Sequence, residues 1–531
     1  MSERLYDYIE IKNLKEMLNK TRNIYAKKTA YKIRTQDNQY KTITHEEVRD
    51  MVDCLGTALI DLGLKGKRIA VIGQNRYEWE IAYLSVVCGT GIVVPLDKSL
   101  PSNELESLIE RSEVEAIFYT NKYEEVIKKI KYSGKNKLKY LISMDICEHS
   151  EGIYSQEEFI KKGKMLIEEG NREFIDSKIN SEEMSIMLFT SGTTSASKVV
   201  SLSHKNICSN LMDIASILDV NSDDTLLSVL PVHHVFECTV GFLFGLYKGA
   251  ETVFCDGIRH IVKNLKEYNV SVMACVPSLY EGIFNMIRKQ LEKEGKLEEV
   301  LEKEEKYRLL GINIVQGYGL TETSPVVGIG NNKYHRIGSI GKAVPSVEVK
   351  IEDENEEGIG ELVVKGPSVM LGYYENKEAT NEVLKNGWFY TGDLAKIDEE
   401  GYIYICGRKK CVIVLKNGKN IFPEEMENLV NKIEGIKESF IFGKRQSDDK
   451  DDIKINVQLV FDREIVEEVY KVKTDDEIYK VLSNKIKEIN QTMPQYKAIR
   501  GVLITEKELI KTTTNKIKRQ ANLDAIEKSN N

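Results

Sequence analysis

No C-x-x-C pair occurs among the nine cysteines of this 531-residue chain, and their number is odd. That offers no C-x-x-C zinc site. It suits reduced thiols and predicts a cytoplasmic protein. Positive charge is also short, since 75 Lys and Arg against 83 Asp and Glu leave a formal net charge of −8. Nucleic acids and anionic membranes reward a basic surface, so neither is the expected partner. The short basic run "KIKRQ" at 516–520 reads as a solvated face. The N-terminal "MSERLYDYIEIKNLKEML" lacks the apolar core of a signal peptide. The longest apolar stretch, "IAYLSVVCGTGIVVPL" at 81–96, is broken by Gly89, Gly91 and Pro95. It is too short and too interrupted to cross a bilayer and predicts a buried helix, turn and strand.

What remains is the composition of a globular protein, 41% hydrophobic and 30% charged with 9 prolines, and too long for one hydrophobic core. Strand-like runs alternate with helical patterns through the first four hundred residues: "RIAVIG" (68–73), "GIVVPL", "AIFYT" (116–120), "YLISM" (140–144). That rhythm predicts an α/β fold with parallel, doubly wound sheets covered on both faces. Residues 286–310 read as a charged amphipathic surface helix, and 338–405 as strand pairs with Gly-rich turns, a β-barrel-like subdomain. After "GRKK" at 407–410 a further set of elements begins. "CVIVL" reads as a strand, "KNGK" as a hairpin turn, and Pro423 opens a helix with two glutamates in its first turn. Strands "SFIFG" and "KINVQLVF" and a helix over roughly 475–489 complete a small α+β domain. The expected division is 1–407, a hinge at 408–410, and a C-terminal domain at 411–531.

The stretch "FTSGTTSASKVVSLSH" at 189–204 crowds hydroxyl side chains around one glycine and one lysine. Such groups can surround phosphate oxygens, with Lys198 offsetting their charge. It is not the Walker pattern, because Ser197 and Val199 flank the lysine where glycine and Ser or Thr are required. The alternative is a polar loop between the strand "SIMLFT" and a helix beginning near His204.

Three further motifs follow in order: "QGYGLTETSP" (316–325), "GWFYTGDLAKIDEEGYIYICGRKK" from 387, and "KTTTNKIKR" (511–519). With "TSGTTSASK" they resemble the signature series of the adenylate-forming superfamily, most closely long-chain fatty acid–CoA ligases. The early sheet segment from "GKRIAVIGQN" is similar as well, so the resemblance covers nearly the whole chain. It implies a large N-terminal domain, a small mobile C-terminal one, and ATP-dependent activation of a carboxylic acid to acyl-AMP, then transfer to coenzyme A. By the resemblance, Thr190, Ser191, Gly192, Thr193, Thr194 and Lys198 form the loop over the β- and γ-phosphates. Tyr318, Gly319 and Thr321 lie against adenine and α-phosphate, and Glu322 holds Mg²⁺, a hard cation that prefers oxygen. Asp393 accepts from the ribose hydroxyls, and Arg408 adds a second ribose contact. Lys410 is the hinge residue, and Lys516 bridges the carboxylate and α-phosphate. His234 falls near the carboxylate and thiol path, with His233 a packed neighbour. The catalytic set is thus Lys516, Thr194, Glu322 and His234.

The chain departs from the family pattern at Ser195, Ser197 and Val199, where glycine, proline and glycine are usual, and at Thr513, where proline is common. Between 285 and 310 it is shorter than the family, which normally has a strand and small-residue loop beside the adenine there. Three other readings therefore stay open. One is an acyl-AMP ligase loading a carrier protein. Another is an amino-acid-adenylating enzyme, with Glu237 pairing the amine. The third is a catalytically degenerate homologue that binds without turnover.

Overall fold

The computed structural model describes residues 2–529 apart from 36, 151, 191–196, 278, 281, 284–285, 287–291, 294–312, 332, 334, 417–418, 446–452 and 513–515. Most of the segment expected as a surface helix at 286–310, and the Asn-Gly turn at 417–418, lie outside the described residues. The chain divides into two compact units. The first is built mainly from Met1–Thr190, Lys198–Glu348 and Val364–Phe389; the second takes in Val349–Val363 and Tyr390–Asn531.

In the first unit the largest sheet has eight strands. Arg68–Ile72, Ile92–Pro95, Ala116–Tyr119 and Tyr140–Ser143 run parallel at its centre. Their interior is apolar on both faces, as a parallel sheet buried between helices requires, with Ala70, Ile117, Leu141 and Met187 in one core cluster. The helix His45–Asp61 starts on a capping box, Thr44 with Glu47, and packs against Gln156–Glu168. At one edge the pattern turns antiparallel: Met184–Phe189 pairs with Val199–Ser203, which pairs with Gly372–Tyr373. A second sheet of four strands contains Thr29–Arg34, Tyr40–Thr44, Thr225–Ser228 and Glu251–Phe254. The apolar stretch 81–96 is helix Tyr77–Ser85, a wider turn Val86–Thr90 and a strand, nearly all of it buried. Among the described residues no helix is long and apolar enough to cross a membrane.

The second unit takes in most of the strands Gly360–Lys365 and Trp388–Ile397 and all of Ile403–Arg408, the last two a hairpin. Beyond them Ile413–Val414 and Asn420–Ile421 pair, and the helix Pro423–Val430 opens on its proline with Glu424 and Glu425 in the first turn. A three-stranded sheet, Ile436–Arg445, Ile453–Phe461 and Gly501–Thr505, is covered on both faces. Ile441, Val457 and Leu459 pack toward Ile478 and Leu482, while Phe440, Phe442 and Val460 meet Leu509 and Ile526. The helix expected over 475–489 runs Asp475–Thr492, and Arg463–Tyr470 is a helix that periodicity did not single out.

Candidate active site

The strands on either side of the glycine-poor stretch pair with each other. Sequence reading expects a strand, a loop and then a helix; the structure interposes the strand Val199–Ser203, in register as Phe189 with Val199 and Leu188 with Val200. All five of its residues are buried. The two valines favour extended backbone, and no turn residue separates this strand from the following helix, which is why it read as loop. The helix then begins at His204, capped by Ser203, whose hydroxyl accepts from the Asn206 N–H. The loop therefore returns into a strand, so that helix's N-terminal amides are not the continuation of the loop. At its foot the Thr190 N–H and hydroxyl both donate to the Lys198 carbonyl, at 2.9 and 3.3 Å. Ser191, Gly192, Thr193 and Thr194 lie outside the described residues.

Tyr318 and Gly319 belong to the short strand Gly317–Gly319, and Thr321 and Glu322 to the tight turn Thr321–Thr323. A side chain at position 319 would meet the Pro325 carbonyl at 1.9 Å, so only glycine lets the turn fold back this closely. Buried Thr323 fastens the turn: its hydroxyl donates to the Pro325 carbonyl at 2.6 Å and accepts from the Leu320 N–H. Thr321 and Glu322 are left half-buried. The Glu322 Oε1 accepts from the Tyr373 phenol at 2.9 Å, and its carbonyl accepts from the Met370 N–H at 2.8 Å. Half-buried Lys198 places its ammonium 4.5 Å from the centroid of the same Tyr373 ring. Two residues chosen from separate motifs thus meet on a tyrosine that sequence reading passed over. Its strand, Gly372–Tyr373, is two residues long, too short for any periodic signal.

In the second unit Asp393 and Arg408 face each other across a hairpin, with Arg408 Nε 2.8 Å from Asp393 Oδ1. The aspartate side chain is 5% exposed and the arginine 49%, an anchored acid beside a reachable cation. Glu361 braces both sides, accepting from the Gly392 N–H at 3.0 Å and pairing with Lys409 at 2.7 Å. Lys410 is exposed in the turn Lys409–Cys411. Lys516 is exposed, its carbonyl accepting from the Thr512 N–H and its own N–H donating to the Thr512 hydroxyl.

His234 stacks near His233, ring centroids 4.0 Å apart. His233 is buried with Nε2 3.4 Å from Asp97 Oδ1, an electrostatic contact and not a hydrogen bond. Asp97, His233 and His234 are, among the described residues, the one group of side chains close enough to hold a cation, their ligand atoms within 4.8 Å. Three residues further on, Glu237 is fully buried. Its Oε1 accepts from the Ser228 hydroxyl at 2.6 Å, and burial pushes its carboxyl up to about 8. It is therefore mostly a neutral acid at pH 7.

Residues 19–374 match the AMP-binding enzyme family, and residues 410–529 match the AMP-binding enzyme C-terminal domain. This chain belongs to the AMP-binding enzyme family. Among the curated relatives of this AMP-binding enzyme, a long-chain-fatty-acid–CoA ligase of Salmonella typhimurium is 29% identical over 416 residues, 71% of this chain and 74% of the relative. Among solved structures, ATP-bound MatB from Rhodopseudomonas palustris aligns with a TM-score of 0.77 at 22% identity, over 97% of this chain and 99% of that one. The o-succinylbenzoate coenzyme A synthetase MenE from Bacillus subtilis, in complex with ATP and magnesium ion, aligns with a TM-score of 0.74 at 21% identity, over 96% and 99%. At those identities the structures show the fold alone, a mixed α/β architecture with a C-terminal domain.

Proposed function

We propose that this enzyme activates a medium- or long-chain fatty acid with ATP and transfers the acyl group to coenzyme A. The observation that carries the reading is the convergence of Lys198 and Glu322 on Tyr373: a cation from the phosphate loop and a hard oxygen donor held in one place. That donor chemistry fits Mg²⁺, which favours carboxylate oxygen. Mg²⁺, when bound, neutralises phosphate charge.

In the first step a substrate carboxylate oxygen forms a bond to the α-phosphorus. The bond from that phosphorus to the bridging oxygen breaks, and pyrophosphate leaves. Two anions must approach, so cations at the contact point set the barrier. Thr190, Ser191, Gly192, Thr193, Thr194 and Lys198 hold the outer phosphates in this reading. Tyr318, Gly319 and Thr321 take the adenine and α-phosphate, and Asp393 with Arg408 takes the ribose. Lys516 supplies the ammonium between carboxylate and α-phosphate. In the second step the coenzyme A thiol gives its proton to solvent, its sulfur bonds to the acyl carbonyl carbon, and the bond from that carbon to the phosphate oxygen breaks, releasing AMP. His234 lies on that path, and Lys410 is the hinge between the two half-reactions.

The amino-acid reading needs Glu237 as an anion for the substrate amine. Full burial and the raised carboxyl of Glu237 argue against it. The fatty-acyl reading is supported by the names of the curated relatives. Hydroxylamine trapping of adenylates across fatty, aromatic and amino acids, followed by coenzyme A or a carrier protein as acceptor, tests it. We expect hydroxamates from medium and long fatty acids and thioester formation with coenzyme A. Failure to bind ATP–Mg²⁺ at millimolar concentration would sink the ligase reading in favour of a non-catalytic homologue.

A further inference from the structure

Tyr373 lies in none of the motifs from which the site was read, yet it touches residues from two of them. Its hydroxyl donates to Glu322 Oε1 at 2.9 Å, and its ring face lies 4.5 Å from the Lys198 ammonium. Its own place is fixed from several directions. Tyr373 pairs with Val200 and Gly372 with Ser201 on the strand that leaves the phosphate loop. The Tyr373 N–H donates to the Thr380 hydroxyl at 2.9 Å, and the Met370 N–H reaches the Glu322 carbonyl. The side chain is buried, 8% exposed.

We propose that Tyr373 is a positioning residue for the metal-binding carboxylate: it fixes the rotation of Glu322 through Oε1, presents Oε2 to the cation, and holds Lys198 beside it. This rests on the reading of Glu322 as the magnesium ligand. A carboxylate on a free side chain swings between monodentate and bidentate arrangements. One hydrogen bond to one oxygen removes that freedom and makes the other oxygen the ligand atom. Among the described residues Oε2 carries no hydrogen bond. The phenol is the donor in this pair, because an ionised carboxylate can only accept. The two contacts need different parts of one side chain, an O–H and a π face. Phenylalanine keeps only the second, and leucine keeps neither.

The test uses the full chain as wild type and as Tyr373→Phe, Tyr373→Leu and Glu322→Gln. The readout is the Mn²⁺ concentration that half-saturates the enzyme–ATP–Mn²⁺ complex, followed by the Mn²⁺ paramagnetic resonance spectrum, with thermal melting beside it. Tyr373→Phe removes one oxygen and preserves the ring, so its melting temperature should stay near wild type. We expect it to weaken Mn²⁺ binding roughly 10- to 100-fold, the usual cost of losing a ligand's hydrogen-bond partner. Glu322→Gln should weaken it at least as much, and Tyr373→Leu should raise the KM for ATP beyond the Phe variant. Unchanged Mn²⁺ binding in Tyr373→Phe beside a weakened Glu322→Gln overturns the positioning role alone. Unchanged binding in Glu322→Gln overturns both it and the magnesium reading of Glu322.

Discussion

Among single residues, the sharpest contrast is between a charge that must be exposed and one that must be suppressed. Lys516 is exposed to solvent, open to a ligand. Lys516→Ala should abolish acyl-adenylate formation, read by pyrophosphate release, while largely sparing thioester formation from supplied acyl-AMP. Equal loss of both steps rejects its role. Glu237 is the opposite case. Burial lifts it from 4.5 to about 8, so the folded state binds its proton more tightly than the unfolded chain does. Its contribution is fully present below pH 4.5 and is lost as pH rises toward 8. Stability should fall across that window. Glu237→Gln, which keeps a neutral acceptor for Ser228, should show about half the wild-type fall in melting temperature or less. An unchanged pH slope in the variant would show that Glu237 is not the titrating group.

Elements show where local signals win and where packing overrides them. The capped helix His45–Asp61, the Pro-started helix Pro423–Val430 and the central parallel strands follow from start signals and apolar runs. The strand Val199–Ser203 does not, because five residues between a polar loop and a helix cap carry no period of their own. It is made a strand by the partners on either side of it. Close packing of whole elements depends on single atoms too. Gly163, in Gln156–Glu168, lies against the helix His45–Asp61 so tightly that a Cβ would fall 1.7 Å from the Cys54 carbonyl oxygen. Backbone cannot yield there as a side-chain tip could. Gly163→Ala should therefore push the helices apart and cost about 3 kcal/mol, measurable by chemical denaturation. A loss below roughly 0.5 kcal/mol, the ordinary range for surface changes, would mean the helices accommodate it.

For the molecule as a whole, the candidate residues are distributed between two compact units: Lys198, Glu322 and Tyr373 in one, Asp393, Arg408 and Lys516 in the other. The proposed hinge at Lys410 gives a prediction at this scale. Proline there fixes φ and restricts Lys409 immediately before it. Lys410→Pro should slow thioester formation at least 10-fold and leave adenylate formation within a few-fold, the two half-reactions being assayed separately. Equal slowing of both would argue against a hinge at this position.

The sequence alone determined the family, the α/β layering and the identity of the charged residues, because these rest on composition, periodicity and motifs that are local in the chain. It assigned Asp393 and Arg408 to one motif and one ligand, and the structure sets them opposite each other on a hairpin. It did not show that Tyr373 gathers Glu322 and Lys198, residues 51 and 175 positions away, nor that Val199–Ser203 is a strand. Contacts between distant segments are decided by which faces bury together. That choice leaves no periodic trace in a two-residue strand, so only the tertiary structure discloses it.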